Sequence, residues 1–241
     1  MKSISDVLFI NPCDIFNIND NAYRHLQNIN SICADFCTKD QGRYHTTNKD
    51  AFKIMGNIFY ENFIETGVYS KPLEKFFDRQ RNFCLSIMSI NRYLEIGFNA
   101  GHSALFALLL NPGIQYIGID NNFNGYTKKC AEYLKTEFKD RFELILGDSR
   151  ELLPLLKFNK SMSKIDLFYV DGGHGEEICR SDIANCISMA SKGSMLLLDD
   201  TNIAKIKKVY CELAANGLLI TETLGGEFRT GNQILAHINF A

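Results

Sequence analysis

Apolar runs in this chain repeatedly end in carboxylates, at Asp120, Asp148, Asp171 and the pair Asp199-Asp200. Asp171-Gly172-Gly173-His174 and Asp199-Asp200-Thr201-Asn202 follow consecutive β-rich runs. Neighbouring strands would therefore bring Asp171, Asp199 and Asp200 together at one sheet edge. Carboxylates so grouped repel one another, and a hard divalent cation (Mg²⁺, Mn²⁺ or Ca²⁺) removes the repulsion while taking their oxygens as ligands. A competing reading has Asp199 and Asp200 merely cap the helix that begins near Ile203, which leaves Asp171 unexplained. His174 follows Asp171 in a glycine-containing turn and titrates near neutrality. It can serve as a general base in the same space or stand as a solvated loop residue.

A second group sits at Tyr93-Leu94-Glu95-Ile96-Gly97-Phe98-Asn99-Ala100-Gly101-His102-Ser103-Ala104. It reads as a strand, a tight turn and a helix whose first N–H groups face the turn, a place for a nucleotide-like ligand. The glycine spacing departs from G-x-G-x-x-G, and Glu95 adds negative charge where a pyrophosphate would lie. A cationic or zwitterionic cofactor such as S-adenosylmethionine is favoured over a nicotinamide dinucleotide. Asp120 follows the glycine turn by about twenty residues, the distance at which a carboxylate takes ribose hydroxyls, although an N-cap also explains it. Asp148 and Ser149 fall where adenine would lie, and capping of the next helix competes there too.

The elements that must position these groups follow from the hydrophobic pattern. From Tyr93 onward, strands are predicted at Tyr93–Ile96, Tyr116–Ile119, Phe142–Leu146, Ile165–Val170, Met195–Leu198, Leu218–Thr223 and Gln233–Ile238. Helices are predicted between them at His102–Leu110, Tyr126–Phe138, Arg150–Leu156, Glu177–Ala190 and Ile203–Asn216. The alternation predicts an α/β fold, a doubly wound, mostly parallel seven-stranded sheet. The last connection, Leu224 to Gly231, is too short for a crossover helix, so the last strand must run antiparallel. Residues 1–90 have a different texture, polar and asparagine-rich, with helical patterns at Tyr23–Cys37, Ala51–Ile64 and Leu73–Met88. They are expected to form a helical cap on the domain of residues 91–241, with Gln41–Thr47 either a loop over the site or an exposed connector.

Composition narrows the function classes. A formal net charge of -2 with interspersed signs shows neither a nucleic-acid stripe nor a polybasic membrane face. No apolar run has a membrane-spanning length and the N-terminus lacks a signal-peptide pattern, so a cytoplasmic location is expected. The eight cysteines are irregularly spaced and mostly inside apolar patterns, as reduced thiols. Cys33 and Cys37, with His25 and His45 nearby, fit no common zinc spacing and read as a half-buried helix face.

Together with Ile117-Gly118-Ile119-Asp120, Gly147-Asp148-Ser149, Val170-Asp171-Gly172-Gly173-His174 and Leu197-Leu198-Asp199-Asp200, the glycine-turn segment resembles class I S-adenosylmethionine-dependent methyltransferases. It is most similar to the catechol O-methyltransferase-like branch, from about Arg92 to the C-terminus. The resemblance implies Glu95 near the methionine amino group, Gly97, Phe98, Asn99 and Gly101 around the methionine moiety, and Ser103 on its carboxylate. It implies Asp120 and Asn121 at the ribose, Gly147, Asp148 and Ser149 at adenine, and Asp171 beside the cofactor. The branch's metal ligands map to Asp171, Asp199 and Asp200, with Asp200 in place of an Asn, and its catalytic lysine maps to His174. The implied activity is methylation of a small-molecule acceptor, on oxygen and assisted by the divalent metal, with Asp171 and His174 catalytic. A homodimer is compatible with this reading, and nucleic-acid and membrane partners are not expected. Rival readings are a metal-independent N- or carboxyl-methyltransferase of the same fold, a catalytically silent binding or scaffold protein, and a hydroxylase-like oxidoreductase.

Overall fold

The computed structural model describes residues 14–39, 51–54, 57–60, 63–65, 72–159, 162, 164–226, 228 and 232–240. The described residues begin with helices α1 (Ile15–Ile18) and α2 (Asp20–Lys39), followed by a hairpin of β1 (Ala51–Lys53) and β2 (Phe63–Glu65), and α3 (Phe77–Ile87). The α/β part continues with β3 (Arg92–Ile96), α4 (His102–Leu110), β4 (Gln115–Asp120), α5 (Thr127–Phe138), β5 (Phe142–Leu146) and α6 (Ser149–Leu156). It is completed by β6 (Leu167–Val170), α7 (Glu176–Met189), β7 (Met195–Leu198), α8 (Ala204–Ala215), β8 (Leu219–Glu222) and β9 (Ile234–Ile238).

Seven strands form one sheet in the order β5-β4-β3-β6-β7-β9-β8. β3 to β7 pair in parallel, and β9 runs antiparallel between β7 and β8. The doubly wound sheet with an antiparallel final strand agrees with the pattern read from the sequence. Each expected strand and helix of this part lies within two residues of its expected bounds.

Period-two alternation divides the strands between two cores. Tyr93, Tyr116, Phe142, Tyr169 and Leu197 face one side, whereas Leu94, Ile117, Phe168, Val170 and Leu198 face the other. The first side is an aromatic ladder: Tyr93 and Tyr116 lie 5.3 Å apart between centroids, and Tyr116 stacks on Phe142 at 5.2 Å. Helix α4 is apolar nearly all round and fills the space over this ladder, so a further layer must cover it.

The N-terminal region supplies that layer. Phe16, Ile29, Cys33, Ile54, Phe59 and Phe83 belong to the same buried cluster as the ladder, so the region shares its core with the sheet. Cys33 Sγ lies 3.8 Å from Cys130 Sγ of α5, and burial pushes the Cys33 thiol well up. His25 Nδ1 is hydrogen-bonded to the Tyr133 hydroxyl at 2.7 Å.

The expected helix over Ala51–Ile64 is corrected. β1 and β2 pair antiparallel in register Ala51↔Glu65 to Lys53↔Phe63. Between them, Asn57 Oδ1 accepts from the N–H groups of Phe59 and Tyr60 at 2.9 and 2.7 Å, a side-chain turn that competes with helix formation. Gly56-Asn57 is the sequence signal for it. Residues Gln41–Thr47 and His45 lie outside the described residues. Among the described residues no helix is long and apolar enough to cross a membrane.

Candidate active site

β3 has β4 on one side and β6 on the other, and the chain's direction of winding reverses there. The carboxyl ends of these strands diverge into a crevice, the usual ligand position in such sheets. A cavity of about 910 Å³ opens at that point. Its wall includes Gly97, Phe98, Asn99, Ser103, Asp120, Asn121, Gly147, Asp148, Ser149, Asp171, His174 and Asp200. Glu95, Gly101 and Asp199, also expected in the site, do not line it.

The turn after β3 is held by backbone. Gly97 N–H donates to Ile119 O at 2.9 Å, and Asp171 N–H donates to Ile96 O at 2.9 Å. Gly97 has φ +101°, and a Cβ there would lie 2.0 Å from the Asp171 carbonyl oxygen, so only glycine fits. Asn99 takes a left-handed φ of 54°; its N–H donates to Asp120 Oδ2 at 2.8 Å, and its side-chain oxygen accepts from Tyr126 Oη at 2.7 Å. Asp120 Oδ1 accepts from Asn122 N–H at 2.7 Å. The aspartate therefore joins the ends of β3 and β4, and its oxygens retain lone pairs for a further donor.

Glu95 lies beneath this turn. Its carboxylate is fully buried and accepts hydrogen bonds from the Ser103 and Tyr116 hydroxyls, and burial pushes its pKa up to about 7. Ser103 therefore links the cavity wall to the buried acid. After β5, Asp148 caps α6 by accepting from Arg150 N–H at 2.9 Å, and its hydrogen bonds and ion pair with Arg150 hold it at about 2. Ser149 Oγ donates to Asp182 Oδ1 at 2.6 Å. Asp182 is a fully buried acid on α7 that the sequence pattern hides among helical polar positions, and burial raises it to about 6.

Of the expected group Asp171, Asp199 and Asp200, Asp199 is not among the side chains whose ligand atoms come within 4.8 Å of one another, although its charge still acts on Asp171. Asp199 is buried and turned to Arg79 of α3: Arg79 Nε donates to its Oδ2 at 3.0 Å, Nη2 donates to the same oxygen, and so does the Tyr169 hydroxyl. Gln233 Nε2 also donates to that oxygen at 3.3 Å, while Asp199 Oδ1 accepts from Asp200 N–H at 2.8 Å. Arg79 Nη1 reaches the Asn57 carbonyl at 3.3 Å, and Nη2 stands 3.8 Å from Asp171 Oδ2. Although burial opposes its charge, the nearby carboxylates of Asp199 and Asp171 leave the Arg79 pKa well above its usual value. Asp200 turns instead to His174, whose Nε2 lies 2.7 Å from Asp200 Oδ2; that hydrogen bond raises the histidine's pKa. The donor atoms of Asp171, His174 and Asp200 lie within 4.8 Å of one another.

Arg79 was not legible as a site residue, because its partner is 120 positions away. Its placement has a local cause. Phe83, one turn later on the same helix face, packs on Tyr93 and Tyr169 at 5.9 and 5.6 Å, which sets Arg79 over the ends of β6 and β7. His102 is a further wall residue, which its place in an apolar helical run does not mark in the sequence. It is buried in the cavity wall, its Nε2 lies 2.9 Å from Asn30 Oδ1, and burial lowers its pKa to about 3.

Residues 94–201 match a family described as a methyltransferase domain. Among solved structures, the chain is similar to CalS11, a TDP-rhamnose 3'-O-methyltransferase of calicheamicin biosynthesis (18% identity, TM-score 0.50, 68% of this chain and 82% of that one). It is similar to the O-methyltransferase TomG of Streptomyces achromogenes, involved in tomaymycin synthesis and solved with S-adenosylmethionine (16%, 0.50, 66% and 78%). An O-methyltransferase of Bacillus cereus in complex with S-adenosylhomocysteine also aligns (15%, 0.52, 66% and 78%). At these identities the likeness is one of fold. Residues 94–201 thus match a methyltransferase domain, and the sheet, with its switch-point crevice and glycine turn, shares the fold of these O-methyltransferases.

Proposed function

We propose that this protein transfers the methyl group of S-adenosylmethionine to an oxygen of a small molecule. The observation that carries this reading is the continuity of the cavity. One wall holds the Gly97 turn, Asp120 and Ser149, and the other holds Arg79, Asp171 and His174. Cofactor and acceptor can therefore meet in one enclosure, where proximity supplies much of the acceleration.

Asp120 takes the ribose hydroxyls with its remaining lone pairs, and Ser149 with Asp148 borders the adenine. Glu95, below Ser103, favours the cofactor's ammonium group electrostatically. The acceptor hydroxyl gives its proton to His174. With Nε2–H donated to Asp200, the neutral ring presents Nδ1 as its basic atom, and the Asp200 carboxylate stabilises the imidazolium that forms. An oxygen lone pair then forms the new O–CH₃ bond while the C–S bond breaks toward sulfur, leaving neutral S-adenosylhomocysteine.

The divalent metal implied by the fold branch does not fit these residues. Both oxygens of Asp199 already accept from Arg79, Tyr169, Gln233 and the Asp200 N–H. His174 and Asp200 are bonded to each other, and a dication between them and Asp171 would face the Arg79 guanidinium.

Calorimetric titration with S-adenosylhomocysteine tests the reading. The protein is expected to bind, and Asp120→Ala to weaken binding by about 10- to 100-fold, the worth of hydrogen bonds to a charged group. Undetectable binding by the unaltered protein would overturn it.

A further inference from the structure

We infer that Arg79 binds the acceptor's oxygen anion, standing in the position where the fold branch uses a divalent metal. The inference rests on the reading above and adds a catalytic residue to it. The strand-end carboxylates need positive charge nearby, and the guanidinium of α3 supplies it from the N-terminal layer. Its head group contacts Asp199 through Nε and Nη2 and the Asn57 carbonyl through Nη1. A guanidinium carries five N–H donors, so hydrogens on Nη1 and Nη2 remain for another oxygen. Arg79 also lines the cavity, beside Asp171 and with Phe76 on the same wall.

The buried surroundings specify where that cation stands. Tyr169 and Gln233 both donate to the Asp199 oxygen that accepts from Arg79, so the carboxylate is fixed before any acceptor arrives. Gln233 Nε2 is also 3.3 Å from the Tyr169 hydroxyl, which closes the network. A preorganised donor in a cavity wall stabilises developing negative charge without reorganising, the requirement for oxyanion stabilisation. An ionised acceptor oxygen paired with Arg79 keeps its lone pair for the sulfonium methyl, and its proton has gone to His174. Charge balances, since the anion and the sulfonium cation become a neutral ether and a neutral thioether.

The test uses the full chain saturated with S-adenosylhomocysteine and two probes, Mn²⁺ and 4-nitrophenol. Electron paramagnetic resonance of Mn²⁺ is expected to show no stoichiometric binding at millimolar metal. Absorbance titration is expected to show that bound 4-nitrophenol ionises at lower pH than the free compound. Arg79→Gln should abolish that shift and Arg79→Lys retain part of it. Because Arg79→Gln leaves Asp199 buried without its partner, the double variant Arg79→Gln/Asp199→Asn is made alongside it, and near-ultraviolet circular dichroism checks folding. One tightly bound Mn²⁺ lost in Asp171→Asn, or an unchanged nitrophenol shift in a folded Arg79→Gln or double variant, would overturn the inference. Failure of S-adenosylhomocysteine itself to bind would instead sink the methyltransferase reading, so the two failures are distinguishable.

Discussion

The two walls of the cavity are built in different ways. The wall at β3 and β4 is a short-range construction, with the Gly97 turn, Asn99 and Asp120 joined by backbone hydrogen bonds between consecutive strand ends. The wall at β6 and β7 depends on an ion pair between Asp199 and a helix 120 residues earlier, and on a hairpin carbonyl that holds the same guanidinium. The first wall should survive changes in the N-terminal layer. The second should fall with its packing, because a charge removed from its partner in a buried site has no solvent to turn to.

Removing one partner of the long-range pair gives the largest expected effect. Asp199→Ala should lower unfolding free energy by about 3 kcal/mol in urea denaturation, since Arg79, 15% exposed, would keep only the more distant Asp171 as countercharge. S-adenosylhomocysteine affinity in the folded fraction should change little. A loss below about 1 kcal/mol would show that the second wall is as forgiving as a surface ion pair and would remove the contrast.

A smaller effect sharpens the first wall. Glu95 is raised from 4.5 to about 7 by burial, so the folded protein holds its proton more tightly than the unfolded chain does. Its contribution is fully present below pH 4.5, is lost as pH rises through about 7, and then stays flat at a cost of about 3 kcal/mol. Glu95→Gln mimics the protonated form. The stability of this variant relative to the unaltered protein should therefore rise by up to about 3 kcal/mol between about pH 5 and about pH 8, followed by thermal or urea unfolding. A difference independent of pH would mean that Ser103 and Tyr116 keep the carboxylate ionised.

The smallest structural effect belongs to His174, whose side chain is 58% exposed. His174→Ala should change stability by less than about 0.5 kcal/mol, yet lower kcat by about 10²–10⁴ once an acceptor is in hand. Full activity in the variant would assign the proton to water and leave the second wall purely electrostatic.

Some of this was readable from residue order. His102–Leu110 and Met195–Leu198 form as the hydrophobic pattern predicts, because buried parallel strands and their crossover helices impose local periodicities that need no distant partner. Ala51–Ile64 does not. Its strands are three residues each, too short for alternation to register, and their pairing spans the Asn57 turn.

The sequence by itself determined that a glycine turn leading into a helix N-terminus follows β3, since the types and spacing of Gly97 and Gly101 after an apolar run are local. It also determined that the carboxylates at the ends of β6 and β7 require positive charge. Only the tertiary structure decided which charge that is. Coulomb attraction depends on distance in space, and nothing near Arg79 in the chain records that Phe83 would seat its helix on Tyr93 and Tyr169. That packing carries the guanidinium to Asp199, with Asp171 3.8 Å from the same nitrogen, and leaves His174 to Asp200.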